Sequence, residues 1–340
     1  MYNLGIATRK RAAFVACIVG LTVTIAAFAG NAGDQPRVGV KLRVGLAGIE
    51  PGMAGLWTAK EEGFLAKEGL DVEFVLFSSG TEGVQALVAG DPPVMSVGGP
   101  PLINAMVAGA DLVIIAELLG TTPFTLFALP NVHTLSDLRG KRIGVSKFGS
   151  ATDFAIRYVL GTLGLNPSKD VTLLQLGEQG VRLAALRTGN IDATVFTPPG
   201  TLIAQRLGFR ELADMSRLVK YPHEVLGTSR AFLREHPDQL RGLLRTMVRG
   251  THYFKTHPEE GIRCLGKYLN MEDTQALAET HRYISPLIAA KPLPSLEGIQ
   301  MVLDQIDDPR ARQLKPTDLV DSRLIRELDQ SGFIDQLYRQ

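Results

Sequence analysis

The sequence is poor in sulfur and in large aromatic rings. Of 340 residues, two are cysteine and one is tryptophan, and aromatic side chains make up only 6%. The cysteines are Cys17, in an apolar run near the N-terminus, and Cys264, beside Ile262 and Leu265 on an amphipathic stretch. Once the N-terminal run is removed, one thiol is left, which excludes an internal disulfide; Cys264 then reads as a small core residue. An excess of positive charge is also missing, with 36 Lys and Arg against 35 Asp and Glu and a net charge of +1. Nucleic-acid binding needs a basic face, so none is expected. The six histidines include no His-x-x-x-His pair, and His252 and His257 are separated by five positions beside Pro258, so no metal site is expected. There is no Gly-x-Ser-x-Gly elbow, no Walker loop and no low-complexity tract. The pattern therefore assigns no catalytic residue and no cofactor.

What is present begins with an export signal. Arg9, Lys10 and Arg11 precede an apolar run over residues 12–28, and Ala27-Phe28-Ala29 suits a signal peptidase. Apolar residues continue past Cys17 where a lipoprotein would turn polar. This favours cleavage after Ala29 over a lipid anchor or a retained transmembrane helix. Losing those three positive charges takes the net charge from +1 to −2.

Strand and helix signals then alternate. Short β-branched runs at residues 42–47, 71–77, 94–97, 112–118, 125–129, 142–146, 171–176 and 191–196 read as strands. Ser150, three residues before Asp153, reads as a helix N-cap, and Ile156, Val159, Leu160 and Leu163 share one helical face that Gly164 ends. Such alternation implies α/β architecture with mostly parallel sheets and right-handed crossovers. Ala86-Leu87-x-x-Gly90-Asp91, a strand and Pro100-Pro101 are echoed by Ala185-Leu186-x-x-Gly189-Asn190, a strand and Pro198-Pro199, at an offset of 99 for the glycines and 98 for the prolines. One unit is thus built twice. From Ser229 onward the chain is helical, with Leu240, Leu243, Leu244 and Met247 on one stripe.

Open parallel sheets bind ligands beyond the carboxyl ends of their strands. Five loops qualify, and their candidate contacts are Gly48, Glu50 and Met53; Ser78, Ser79, Gly80 and Thr81; Gly98, Gly99 and Pro100; Lys147, Phe148, Gly149, Ser150 and Thr152; and Thr197 and Pro198. Three of the loops combine hydroxyls with N–H groups at a helix start, which suits an anion. Glu50 argues the other way, toward a cation or an amine. Lys147, Glu178 and Arg182 are the other ionisable candidates, and Phe124, Phe148, Phe196 and Tyr221 are candidates to stack on a ring, with core packing the plainer role for each.

The series L-x-D-L-R-G-K-R-I-G-V from Leu135, G-S at Gly149, L-G-L-N-P-x-K-D-V from Leu163 and A-L-R-T-G-N-I-D-A from Ala185 resembles the extracytoplasmic substrate-binding proteins of ABC importers. Within them it is most similar to the group for aliphatic sulfonates, taurine, nitrate and thiamine-pyrimidine precursors. The resemblance runs from about Leu42 to about Pro309. It implies a type II periplasmic-binding-protein fold with two hinge crossings, lobe one at residues 42–120 and 226–340, lobe two at 121–225, and a helical C-terminal extension. It further implies a monomer in the periplasm that binds a small solute by hinge closure and delivers it to an ABC permease with a cytoplasmic ATPase. Two alternatives accompany it: a fold-related enzyme of pyrimidine-precursor or menaquinone-type biosynthesis, and a solute sensor for a signalling receptor.

Overall fold

The computed structural model describes residues 39–218 and 220–339. The export signal read at residues 1–29 lies outside the described residues.

Strands β1 (Val40–Ala47), β2 (Leu70–Phe77), β3 (Val94–Val97) and β4 (Leu112–Leu119) enter one sheet. Strands β5 (Thr125–Ala128), β6 (Arg142–Val145), β7 (Thr172–Gln175), β8 (Ala193–Phe196) and β9 (Arg210–Asp214) form a second, and β10 (Glu224–Ser229) returns to the first. The strand orders are β2-β1-β3-β10-β4 and β7-β6-β8-β5-β9. They correspond position by position. In each sheet the fourth strand is the reversed one, antiparallel to both neighbours. The doubled unit expected from the Gly-Asp and Gly-Asn echo is therefore present as matched topology.

The central strands are apolar on both faces because helices cover both sides. Every residue of β3, β4, β5 and β8 is buried. The short charged strand β9 and the strand β10 lack a long apolar run and were not legible as strands. Strand β10 lies between β3 and β4, where Gly227 leaves room for Leu102: a Cβ there would meet Leu102 Cδ2 at 2.5 Å.

Between the strands lie α1 (Ala54–Glu61), α2 (Phe64–Lys67), α3 (Gly80–Val88), α4 (Gly99–Val107), α5 (Ala151–Thr162), α6 (Gln179–Arg187) and α7 (Gly200–Arg206). Ser79 caps α3, accepting the Glu82 N–H at 3.3 Å, and Ser150 caps α5, accepting the Asp153 N–H at 3.3 Å. After α5 the chain reverses at Gly164, with φ +69°, and the Leu165 N–H returns to the Leu160 carbonyl at 2.9 Å.

The C-terminal region is α8 (Arg230–Glu235), α9 (Pro237–Thr256), α10 (Pro258–Leu269), α11 (Thr274–Ile284), α12 (Leu296–Asp304), α13 (Arg323–Gln330) and α14 (Phe333–Leu337). The α9 stripe of Leu240, Leu243, Leu244 and Met247 is buried in the core of the first sheet. Helices α9 and α1 cross closely enough that a Cβ on Gly250 would meet the Gly55 carbonyl at 2.1 Å. Trp57 is fully buried there, stacked on Tyr268 at 4.9 Å, so it fills core and does not reach a ligand. Cys264 is buried in the same core. The C-terminal chain also shields the outer edge of β4, through Glu117 N–H to the Pro292 carbonyl at 3.0 Å and Ile114 N–H to the Leu319 carbonyl at 2.9 Å. A second apolar core joins the sheets, including Met95, Val97 and Ile114 of the first and Leu126, Val145 and Val195 of the second.

A candidate solute-binding cleft between two sheets

The loops that follow β1, β2, β3, β6 and β8 converge on one cavity of about 290 Å³. This follows from the parallel strand directions, which bring the carboxyl ends of both sheets to face each other. Of the residues singled out in the sequence, Gly48, Glu50, Ser78, Ser79, Gly80 and Gly98 line it from the first sheet, and Ser150 and Thr152 from the second. Arg182 and Glu178 line it as well.

The remaining candidates are placed elsewhere. Met53 ends the one-turn helix Pro51–Met53, which rotates its side chain into the core, where it is fully buried. Gly99 donates its N–H to the Pro222 carbonyl at 2.9 Å, and Pro100 is buried in the first turn of α4. Lys147, Phe148 and Gly149 form the rim turn and do not line the cavity. Phe148 is 45% exposed and lies 5.7 Å from the Arg157 guanidinium. Thr81 spans the rim, donating from Oγ1 to the Phe148 carbonyl at 3.1 Å. Pro198 borders a separate surface depression beside Thr201 and Glu211. Thr197 does not line the cavity but holds a residue that does, its Oγ1 donating to Glu50 Oε2 at 2.8 Å. Of the ring candidates, Phe124 lines the cavity, while Phe196 and Tyr221 are fully buried.

The loop after β6 spends its donors internally. Ser146 N–H goes to Thr152 Oγ1 at 2.8 Å, Phe148 N–H to Gln175 Oε1 at 2.8 Å and Gly149 N–H to Asp153 Oδ2 at 2.9 Å. The Ser146, Ser150 and Thr152 hydroxyls close a triangle with edges of 2.9, 2.9 and 3.0 Å. The buried Asp153 carboxylate already occupies the first turn of α5, and Glu82 that of α3, so both helix dipoles have an acidic partner from their own sequence.

The ionisable floor of the cavity was only partly legible. Glu224 and His223 are 3% and 4% exposed and line it. Both belong to a segment read only as a return crossing; the available signal was the pair of polar residues opening a short apolar run. Gln179 and Ser146 were also missed. Glu224 Oε1 accepts from Ser96 Oγ at 2.5 Å. Burial, reinforced by the nearby Glu50 charge and opposed by that hydroxyl, pushes the Glu224 carboxyl up to about 8. Burial also raises Glu50, against the Thr197 hydrogen bond and the Arg182 charge. Burial lowers His223 to about 3 and Arg182 to about 10, the latter partly restored by Glu50. Arg182 is 3% exposed; Nη1 donates to the Gly177 carbonyl at 2.5 Å, and Nε has no hydrogen-bond partner among the described residues. A buried, incompletely satisfied guanidinium beside a cavity is a feature of binding sites.

The sheets also meet around the cavity. Besides Thr197–Glu50 and Thr81–Phe148, an Arg206–Asp273 ion pair joins α7 to the N-terminus of α11. Gly98 lies against Ala151, so a Cβ on Gly98 would come within 2.8 Å of Ala151 Cβ.

Two matched α/β sheets with a cavity between the carboxyl ends of their strands define the periplasmic-binding-protein fold. The chain belongs to the NMT1/THI5 like family, which it matches over residues 50–261. The alkanesulfonate-binding protein SsuA of Xanthomonas axonopodis pv. citri, solved bound to MOPS, superposes with a TM-score of 0.72 at 22% identity, over 83% of this chain and 98% of that one. The taurine-binding periplasmic protein of Escherichia coli (strain K12) is 26% identical over 242 residues, 67% of this chain and 74% of that protein. The bicarbonate transport ATP-binding protein CmpC of Synechocystis sp. (strain ATCC 27184 / PCC 6803 / Kazusa) is 24% identical over 266 residues, 72% of this chain and 38% of that protein.

Proposed function

We propose that this chain is the solute-binding component of an ABC-type importer, acting in the periplasm after export. It traps one small molecule between two lobes and presents the closed form to a membrane permease. The observation that carries this reading is the cavity between paired sheets, lined by buried ionisable side chains from both. A volume of about 290 Å³ lies at the small end of ligand pockets and fits a compact solute. The taurine-binding relative supports a sulfonate-sized ligand. CmpC supports coupling to ATP-driven transport, because a segment similar to this chain occurs within a transport ATP-binding protein.

In this reading lobe one is residues 42–120 and 226–340 and lobe two is residues 121–225, except that Glu224 and Val225 pair into the first sheet as the start of β10 and so go with lobe one. The crossings that follow β4 and precede β10 serve as hinges. Binding energy is then spent on closure, since a ligand touching both lobes favours the closed state over the open one. The test is small-angle scattering and thermal melting of the exported chain with a panel of sulfonates, amines and pyrimidines. A bound solute is expected to shrink the radius of gyration and raise the melting temperature. Neither change with any compound, together with no solute retained in native mass spectrometry of freshly purified protein, would refute it.

A further inference from the structure

The charge at the cavity is the reverse of what an anion receptor needs. Its ionisable lining residues are Glu50, Glu178, His223, Glu224 and one basic residue, Arg182. The single guanidinium, Arg182, exerts its charge on Glu50 and donates to the Gly177 carbonyl, so it stands against three carboxyls in the lining. His223 adds no positive charge near neutral pH, because burial holds its imidazole neutral. Two of the helix N-termini at the cavity, those of α3 and α5, carry Glu82 and Asp153 in their own first turns, and Glu178 stands at the N-cap of α6. Glu224 is the group left over. One of its oxygens accepts from Ser96, and the nearby Glu50 charge raises its proton affinity. Its surroundings are Glu50, Tyr221, His223 and Ser96, none of them cationic. Phe124, Leu183, Ile203 and Met271 supply apolar wall to the same cavity.

We propose that the solute of this cleft is a small organic cation, an ammonium or amidinium on an apolar body, whose charged nitrogen sits against Glu224 and Glu50. This rests on the solute-binding reading above and specifies its ligand class. The apolar body packs against Phe124 and the aliphatic wall, and the cation supplies the counter-charge that buried carboxyls lack. Simple sulfonates and nitrate are disfavoured, because their charge would be buried beside Glu224 with no counter-charge from it and would hold that carboxyl in its protonated form. Binding also moves a proton. Below about pH 8 Glu224 holds a proton, and a cation beside it favours the ionised form, so binding releases that proton.

The test uses titration calorimetry of the exported chain with benzamidinium and butylammonium against butane-1-sulfonate and nitrate. The cations are expected to bind at least tenfold more tightly than the sulfonate. Their affinity should rise as pH goes from 6 to 8, with a heat that depends on the ionisation enthalpy of the buffer. Glu224→Gln should weaken cation binding tenfold or more, abolish the buffer dependence and leave sulfonate binding no weaker. Glu50→Gln provides a second variant if Glu224→Gln melts early, and should weaken cation binding in the same direction. Tighter binding of the sulfonate than of both cations overturns the ligand class while leaving the solute-binding reading intact. Equal cation affinity in a well-folded Glu224→Gln protein does the same. Failure of all four probes overturns the ligand class too, and native mass spectrometry then decides whether the broader reading falls with it.

Discussion

His223 and Glu224 are adjacent in sequence, buried side by side, and titrate in opposite senses. His223 is held at about 3, so between there and an unfolded value near 6.5 the unfolded chain binds the extra proton and stability rises with pH. Glu224 is held at about 8, so between about 4.5 and 8 the folded chain binds the extra proton and stability falls with pH. The two slopes cancel between about 4.5 and 6.5, and only the Glu224 slope remains from there to about 8, at most about 1.4 kcal/mol per pH unit. The raised Glu50 and Glu117 carboxyls act with the same sign, each lowering stability as pH climbs from the unfolded carboxyl value toward its own raised one. Chemical denaturation of the ligand-free chain should therefore show maximal stability on the acidic side of neutrality and a decline toward pH 8. Glu224→Gln should flatten that decline; an unchanged slope would show that Glu224 does not hold the raised value.

At the scale of elements, the contacts between α4, α5 and their loops set how far the sheets close. Gly98 precedes α4 and Ala151 opens α5, and a side chain at Gly98 enters the space that Ala151 occupies. Gly98→Val should prop the sheets apart, lower solute affinity at least tenfold and abolish the scattering contraction, with little change in the melting temperature of the ligand-free protein. A variant that still contracts would mean that closure does not bring these residues together. Ser150→Ala removes the α5 cap and one corner of the hydroxyl triangle. It should cost about 1 kcal/mol in denaturant unfolding. Gly250→Ala should cost more than a cap, because its Cβ meets the Gly55 backbone and α1 must move away from α9.

For the whole molecule, a shared apolar core joins the two sheets. Residues of both sheets, from Met95 to Val195, belong to it, and the chain passes between the sheets twice. The first sheet is not a continuous stretch of sequence, because β10 completes it only after the second, residues 125–214, is finished. Thermal unfolding of the exported chain should therefore be a single cooperative transition, with coincident loss of near- and far-ultraviolet dichroism. Two resolved transitions would show that the sheets are separately stable.

Local physics was legible before any coordinates. Eight of the ten strands, the Ser79 and Ser150 loops, the Gly164 stop and the α9 stripe follow from β-branching, capping chemistry and helical period, all properties of a few neighbouring residues. The echo at an offset of 99 foretold the matched sheets, because a repeated unit repeats its own local signals. Strands β9 and β10 were not legible, since their pairing comes from partners distant in sequence. The same holds for the floor of the cleft. Glu224 depends on Ser96, 128 positions away, and Glu50 on Thr197, 147 positions away. Whether a carboxyl there is a solvated surface charge or a buried proton carrier is a matter of desolvation. That is set by the packing of segments far apart in the chain, and no local pattern encodes it.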